Sequence, residues 1–238
     1  MTATVYLPGG NMKKLAVKSI LMDVDGTMTD FRENALPGKG PMKLLIDLIA
    51  EKEGIPEDEA EKKIRSAGDV ANICLSEFFP ALGVDQEEYF ALFKEELSRQ
   101  IFIPEDTVFF LHNMKERKIP IYSATTNSPF VTLAKLAVGG LADLKGTPFL
   151  AGFHPGNEFG DPMGKFSPHF FPNILKYHNY DPSTLLMLGD EEKRDLVPAL
   201  SAGIRYGVII RRKQKEEILE KEGGIFVNSL KILSEMIE

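Results

Sequence analysis

Ile20-Leu21-Met22-Asp23-Val24-Asp25-Gly26-Thr27 is the stretch on which the reading of this chain turns. Three apolar residues in a row, without polar alternation, fit a short strand buried on both faces, as in a parallel sheet. That strand runs into two carboxylates one residue apart, followed by a glycine that lets the chain turn sharply. Open parallel sheets bind their ligands at the carboxyl ends of strands, beside the point where strand order reverses. Asp23 and Asp25 are therefore expected to converge on one site. Four fixed residue types in this order arise by chance in about 10⁻³ of chains this long. Chance thus argues against the plainer alternative, a loop whose aspartates merely cap a turn.

Outward from this stretch, apolar runs recur. They are Ile119-Pro120-Ile121-Tyr122, Leu185-Leu186-Met187-Leu188, Val208-Ile209-Ile210 and a weaker one, Phe149-Leu150-Ala151-Gly152-Phe153. Between them, residues 107–118, 128–138, 168–178 and 195–202 carry helical patterns. The alternation predicts an α/β core, a doubly wound, Rossmann-like parallel sheet. Pro120 lacks an amide donor and so fits only the beginning of its strand.

Residues 31–103 break the alternation. Leu44, Leu45, Leu48 and Ile49 form one apolar stripe at helical spacing, and Tyr89, Phe93, Leu97 and Ile101 form another. Pro37-Gly38-Lys39-Gly40-Pro41 and Pro104 mark the boundaries. The expectation is a core built from residues 1–30 and 104–238, carrying a helical insertion at 31–103. The alternative is extra helices packed on one core. Residues 1–16 are expected to form a strand or arm, with Met12 an alternative start. Cys74 is expected in an apolar helix of the insertion.

The chain has 238 residues, 43% hydrophobic, with 28 Lys plus Arg against 35 Asp plus Glu, a net charge of −7. That balance, without a sizeable basic patch, predicts neither nucleic acid nor an anionic membrane as partner. A single cysteine leaves no intramolecular disulfide and no cysteine-cluster metal site. No apolar run approaches the roughly 20 residues that span a bilayer. The opening MTATVYLPGG lacks the basic start and apolar stretch of a secretory signal. A cytoplasmic protein is the expectation, and the oligomeric state is left open.

Three further segments carry chemistry. Ser123-Ala124-Thr125-Thr126-Asn127 follows the second core strand and precedes a helix. Hydroxyls and an amide there suit a phosphate, because free amides and the helix dipole favour an anion; they are equally ordinary caps. Lys165, in Gly164-Lys165-Phe166-Ser167-Pro168, opens another helix and can neutralise a phosphoryl oxygen. Leu188-Gly189-Asp190-Glu191-Glu192-Lys193-Arg194-Asp195 ends the third long strand, with Asp190 at its tip and Asp195 about one helical turn on. Asp23, Asp25, Asp190 and Asp195 would crowd a small volume, and like charges that close stay ionised only beside a cation. A hard divalent ion with oxygen ligands, Mg²⁺, resolves the conflict. Alternatively, residues 191–195 are an acidic first helical turn that complements the dipole. His112, His154, His169 and His178 show no metal-cluster spacing and are expected at surface or helix-end positions. Arg32, Lys39, Lys43 and Arg65 are basic groups of the linker and insertion within possible reach of an anionic substrate.

Taken in order, these four segments resemble the haloacid dehalogenase-like hydrolase superfamily, over residues 17–30 and 104–215. The resemblance implies Asp23 as nucleophile, Asp25 as general acid and base, Ser123 as the second-motif hydroxyl with Thr126 the weaker alternative, and Lys165 as the third-motif lysine. It implies Asp190 as a metal ligand beside Asp23 and the Asp25 carbonyl, with Asp195 in support. Thr125 and Asn127 join Ser123 and Lys165 as phosphate-binding candidates, and the insertion resembles the helical cap of that family. Phe166 stands where many members have proline, and Glu191 where small residues are common. Dehalogenases of the superfamily typically lack the second aspartate, so Asp25 favours phosphoryl transfer. The function implied is Mg²⁺-dependent hydrolysis of a small phosphorylated metabolite through an aspartyl-phosphate. The rivals are a sugar phosphomutase using the same intermediate and a non-catalytic phosphate-binding protein of the same fold.

Overall fold

The computed structural model describes residues 4–6, 13–35, 37–69, 74–161 and 163–238. The chain opens with β1 (Thr4–Tyr6), β2 (Ser19–Met22) and β3 (Asp30–Phe31). It continues through α1 (Pro41–Glu53), α2 (Glu57–Ala67), α3 (Phe79–Leu82), α4 (Gln86–Gln100) and β4 (Ile101–Phe102). Then come α5 (Glu105–Glu116), β5 (Ile121–Thr125), α6 (Pro129–Ala137), β6 (Gly152–Pro155), α7 (Gly156–Phe159) and α8 (Phe170–His178). Last are β7 (Leu185–Gly189), α9 (Val197–Ser201), β8 (Tyr206–Ile210), β9 (Ile218–Lys221), β10 (Gly224–Val227) and α10 (Leu230–Met236). The expected alternative start at Met12, and residues 1–3 and 7–12 of the expected arm, lie outside the described residues.

Eight strands form one sheet in the order β1-β9-β10-β8-β7-β2-β5-β6. From β10 through β6 every neighbour is parallel; β9 and β1 are antiparallel additions at one edge. The doubly wound α/β sheet expected from the sequence is present. From β2 the chain winds outward through β5 to β6, then returns to the other side of β2 for β7 and β8. The reversal puts the carboxyl ends of β7, β2 and β5 side by side, where such sheets hold ligands. All five residues of β7 are buried, and so are Ile20, Leu21 and Met22, which explains the lack of polar alternation. Leu21 and Met187 point to the face covered by Phe170, Phe171 and Ile174 of α8. At the far edge, Glu222 and Gly223 both take positive φ (52° and 80°), the two-residue turn that suits a tight hairpin between β9 and β10.

Several elements shift from expectation. β5 runs from Ile121 to Thr125 and so excludes Pro120, whose carbonyl accepts from Ile20 N–H at 3.0 Å. β6 begins at Gly152, three residues later than the apolar run. Cys74 lies outside any helix, just before a short turn at Leu75–Phe78, half-buried with Sγ 3.0 Å from Ser76 Oγ. α3 follows, with Pro80 in its first turn, and stops after four residues at the left-handed cap Gly83.

The chain divides into two compact units. One comprises Met1–Asp30, Ile103–Asn127 and Pro148–Glu238; the other comprises Phe31–Phe102 and Ser128–Thr147. The second unit is helical and its centre is aromatic. Phe130 of α6 lies 5.7 Å from Phe79, 5.9 Å from Tyr89 and 5.5 Å from Phe90, ring centre to ring centre. That packing draws residues 128–147 into this unit, beyond the 31–103 span drawn from the sequence. Among the described residues no helix is long and apolar enough to cross a membrane.

Candidate active site

β2 ends at Met22, and Asp23 continues in extended conformation, its N–H bonded to Leu188 O of β7 at 2.9 Å. The chain then makes a wide turn closed by Thr29 N–H on Val24 O at 2.9 Å. Gly26 sits in that turn at φ +75°, where an L side chain is strained, and a Cβ there would run into the Asp190 carboxylate. The first acidic loop can lie against the second only because residue 26 is glycine. Gly189 repeats the device, since a Cβ on it would overlap the Asp195 carboxylate.

Asp195 is almost fully buried and organises the second loop. Its Oδ2 accepts from Asp190 N–H at 3.0 Å and Glu191 N–H at 2.9 Å, and its Oδ1 lies 2.5 Å from Lys165 Nζ. Lys165 is buried too, 5% exposed, and donates to Asp23 Oδ1 at 2.7 Å. The ammonium thus bridges the loops after β2 and β7. Burial works against its charge, yet Asp23 and Asp195 outweigh that and hold its pKa above the ordinary value. Burial pushes the Asp23 carboxyl up to about 7, partly offset by Lys165 and reinforced by Asp195 and Asp190. Asp190 rises to about 6, again through burial, with Asp195 and Glu191 adding to it.

A cavity of about 90 Å³ opens among Asp23, Asp25, Thr125, Thr126, Lys165 and Asp190, with Glu191, Arg194 and Asp195 completing its lining. That is room for a phosphoryl-sized group. Of the residues singled out in the sequence, the structure brings together Asp23, Asp25, Thr125, Lys165, Asp190 and Asp195. Asn127 stands just behind: its Nδ2 donates to Asp25 Oδ2 at 2.7 Å and to Thr125 Oγ1 at 2.9 Å.

Ser123 is not in the lining. It pairs with Met22 in register, inside β5 and fully buried. At about 3.3 Å per residue it sits two residues, roughly 7 Å, short of the strand's end. Thr126, the weaker alternative, is in the lining, because β5 ends three residues later than its apolar run suggests. Arg32 donates to Ser98 O, Lys39 and Lys43 pair with Asp47, and Arg65 pairs with Glu61, all within the second unit.

Asp23, Asp190 and Asp195 offer carboxylate oxygens within 4.8 Å of one another. Three acids share the single Lys165 ammonium, and two of them are raised by burial, so a hard divalent cation suits this oxygen donor set. Asp195 already accepts two amides and is ion-paired with the ammonium, which leaves Asp23 and Asp190 as the better carboxylate donors.

Sequence reasoning missed the arginines around these loops. Arg211 Nη1 donates to Asp190 O, and Arg212 bonds the Gly26 and Thr27 carbonyls. In the sequence they are a basic pair after a strand, indistinguishable from a solvated surface run. His154 corrects the expectation of surface or helix-end histidines: it is fully buried on β6, with Nε2 2.7 Å from His178 Nε2. His112 and His169 are exposed as expected.

No protein-family model matches the sequence, and no curated protein matches it either. Solved structures do share its fold. A HAD phosphatase from Thermococcus onnurineus aligns at 19% identity over 92% of this chain and 97% of its own, TM-score 0.53. The HAD-hydrolase YfnB from Bacillus subtilis, bound to magnesium, aligns at 16% over 94% and 99%, TM-score 0.53. A variant of CbbY from Rhodobacter sphaeroides, in complex with xylulose-1,5-bisphosphate, aligns at 16% over 90% and 95%, TM-score 0.52. L-2-haloacid dehalogenases share the fold as well, one from Xanthobacter autotrophicus at 13% identity and TM-score 0.52. With its sheet order, its reversal at β2 and its acidic loops at the strand ends, the chain has the fold of the haloacid dehalogenase-like hydrolases.

Proposed function

We propose that this chain is a Mg²⁺-dependent phosphatase that hydrolyses a small phosphate ester through an aspartyl-phosphate on Asp23, with the helical second unit as its cap. The observation that carries the reading is the buried Lys165 ammonium held between Asp23 and Asp195, beside a cavity of phosphoryl size lined by two threonines and three further acids.

In the first step a carboxylate oxygen of Asp23 bonds to phosphorus while the bond to the ester oxygen breaks, and Asp25 gives that oxygen its proton. In the second step Asp25 takes a proton from water as the water oxygen bonds to phosphorus, freeing Asp23 and inorganic phosphate. Lys165 fixes the orientation of Asp23 through Oδ1 and offers positive charge to the phosphoryl oxygens. The Thr126 hydroxyl is the donor at the cavity wall, a role the sequence reading gave first to Ser123. Asn127 holds the Asp25 carboxylate in place. Asp23, Asp190 and the main-chain carbonyl of Asp25 would hold Mg²⁺, which when bound neutralises charge on the transferring group. Asp195 supports the loop through its amide bonds.

Some structures of this fold are dehalogenases. Asp25 favours phosphoryl transfer, because a departing halide needs no proton whereas a departing alkoxide does. The complex of CbbY with a sugar bisphosphate supports a small phosphate ester as the substrate class. The test is release of inorganic phosphate from aryl and sugar phosphates. We expect turnover with Mg²⁺, loss on chelation and recovery on adding the ion back. Full activity after exhaustive chelation would contradict the metal assignment, and no release from any ester would contradict the function.

A further inference from the structure

Two consecutive arginines leave β8, and each reaches a different acid-bearing loop. Arg211 donates through Nη1 to Asp190 O and lies 3.5 Å from Glu192 Oε1. Arg212 turns the other way. Its Nη1 donates to Gly26 O at 3.1 Å and its Nη2 to Thr27 O at 2.9 Å and to Thr107 Oγ1 at 3.0 Å, while Nε donates to Asp106 Oδ1 at 3.1 Å. Asp106 is itself fixed by the first N–H of α10, Leu230 N on Oδ2 at 3.0 Å. Four bonds in the fork of one half-buried guanidinium define its orientation, and no ammonium reproduces that geometry.

The two carbonyls that Arg212 holds belong to the residues directly after Asp25. The Asp25 carboxylate is held from the other side by Asn127 Nδ2 at 2.7 Å. The turn between carries Gly26 at positive φ and crosses against Asp190. We propose that Arg212 is a positioning residue that sets the Asp25 carboxylate for proton transfer, and that the Arg211–Arg212 pair fixes the Asp25 loop against the Asp190 loop. The inference rests on the phosphatase reading above. Neither arginine touches the reacting atoms in this account. They act through carbonyls whose displacement moves Asp25, and a shift of about 1 Å at a catalytic group lowers a rate by about 10²-fold.

The test uses Arg212→Lys, which keeps the charge and the apolar stem but loses the fork. We expect kcat for an alkyl phosphate to fall about 10- to 100-fold, with KM changed far less. In kcat/KM, which reports the first step, an aryl phosphate, whose leaving oxygen needs little acid, should lose less; the second step needs Asp25 as base for both esters. In Arg212→Ala, added guanidinium ion should recover part of kcat, and it should not do so in Asp25→Ala. Amide hydrogen exchange over residues 24–29 should quicken in both Arg212 variants, whatever the activity. Wild-type kcat and an unchanged aryl-to-alkyl ratio in Arg212→Lys, beside an active wild type, would overturn the inference alone. A wild type inactive on every ester would overturn the phosphatase reading, and this inference with it, even where exchange over 24–29 quickened.

Discussion

The α/β unit buries two polar clusters, and they are built on opposite terms. At the ends of β2 and β7, three carboxylates share one ammonium, so the site carries excess negative charge that burial makes costly. From β6, His154 meets His178 at 2.7 Å, with Tyr180 stacked on His178 at 4.8 Å between ring centres and Tyr122 tilted against both histidines at 5.4 and 5.7 Å. That second cluster carries no net charge when neutral: of the two facing Nε2 atoms one donates and the other accepts, and burial holds His154 down to about 4. A buried group that balances itself serves packing. One that is left unbalanced awaits an ion or a substrate.

The largest expected effect breaks that contrast on the acidic side. Asp23→Asn removes the nucleophile while keeping its shape, and kcat should fall by more than about 10³-fold. The thermal midpoint should not drop, because a neutral amide relieves the crowding of like charges. The checks are phosphate release and thermal unfolding on one preparation. Equivalent changes at His154 should leave kcat per folded molecule near wild type.

Next comes Lys165→Met. Taking the ammonium from between Asp23 and Asp195 leaves uncompensated buried charge, at about 3–5 kcal/mol by urea unfolding at neutral pH. Asp23 should then rise further, so the folded chain binds a proton that the unfolded chain has released. Stability of this variant should therefore recover as the pH falls, and a loss that stayed constant from neutral to acid would contradict the charge argument.

A smaller effect separates the two clusters by sign. His154 has a folded pKa of about 4 against 6.5 unfolded, so below pH 6.5 the unfolded chain binds a proton the folded chain refuses. Between pH 7 and 5 this removes about 2 kcal/mol. Asp23, raised to about 7, works the opposite way: the folded chain gains the proton and stability increases over the same range. In chelator, His154→Gln should lose the acid penalty and Asp23→Asn the acid gain. Urea unfolding at the two pH values measures both, and shifts of the same sign would sink the comparison.

Much of this was legible in the sequence, and the misses share a cause. β2, β7 and β8 are buried on both faces, so their apolar runs mark them directly, and Asp23, Asp25 and Asp190 follow from where those runs stop. β5 is different because polar Ser123 and Thr125 lie within it, buried, so its apolar run stops before the strand does; the resemblance put Ser123 ahead of Thr126, and of the two only Thr126 lines the cavity. The histidine pair joins residues 24 apart in sequence, and Arg212 holds Gly26 and Thr27 from about 185 positions away. Neither has a local pattern, since only folding brings such partners together. The hairpin of β9 and β10 was also missed, because Ile218-Leu219-Glu220-Lys221 mixes apolar and charged residues and gives no continuous apolar run.

The central claim is that Asp23 carries the phosphoryl group between two steps that Asp25 serves. Asp25→Ala mixed rapidly with an aryl phosphate isolates the claim, because a good leaving group departs without acid while the second step still needs a base. The account predicts a burst of aryl alcohol approaching one equivalent of enzyme, slow turnover afterwards, and phosphate recovered on the peptide that contains Asp23. Slow hydrolysis with no phosphoprotein, or phosphate on a peptide that excludes Asp23, would contradict it.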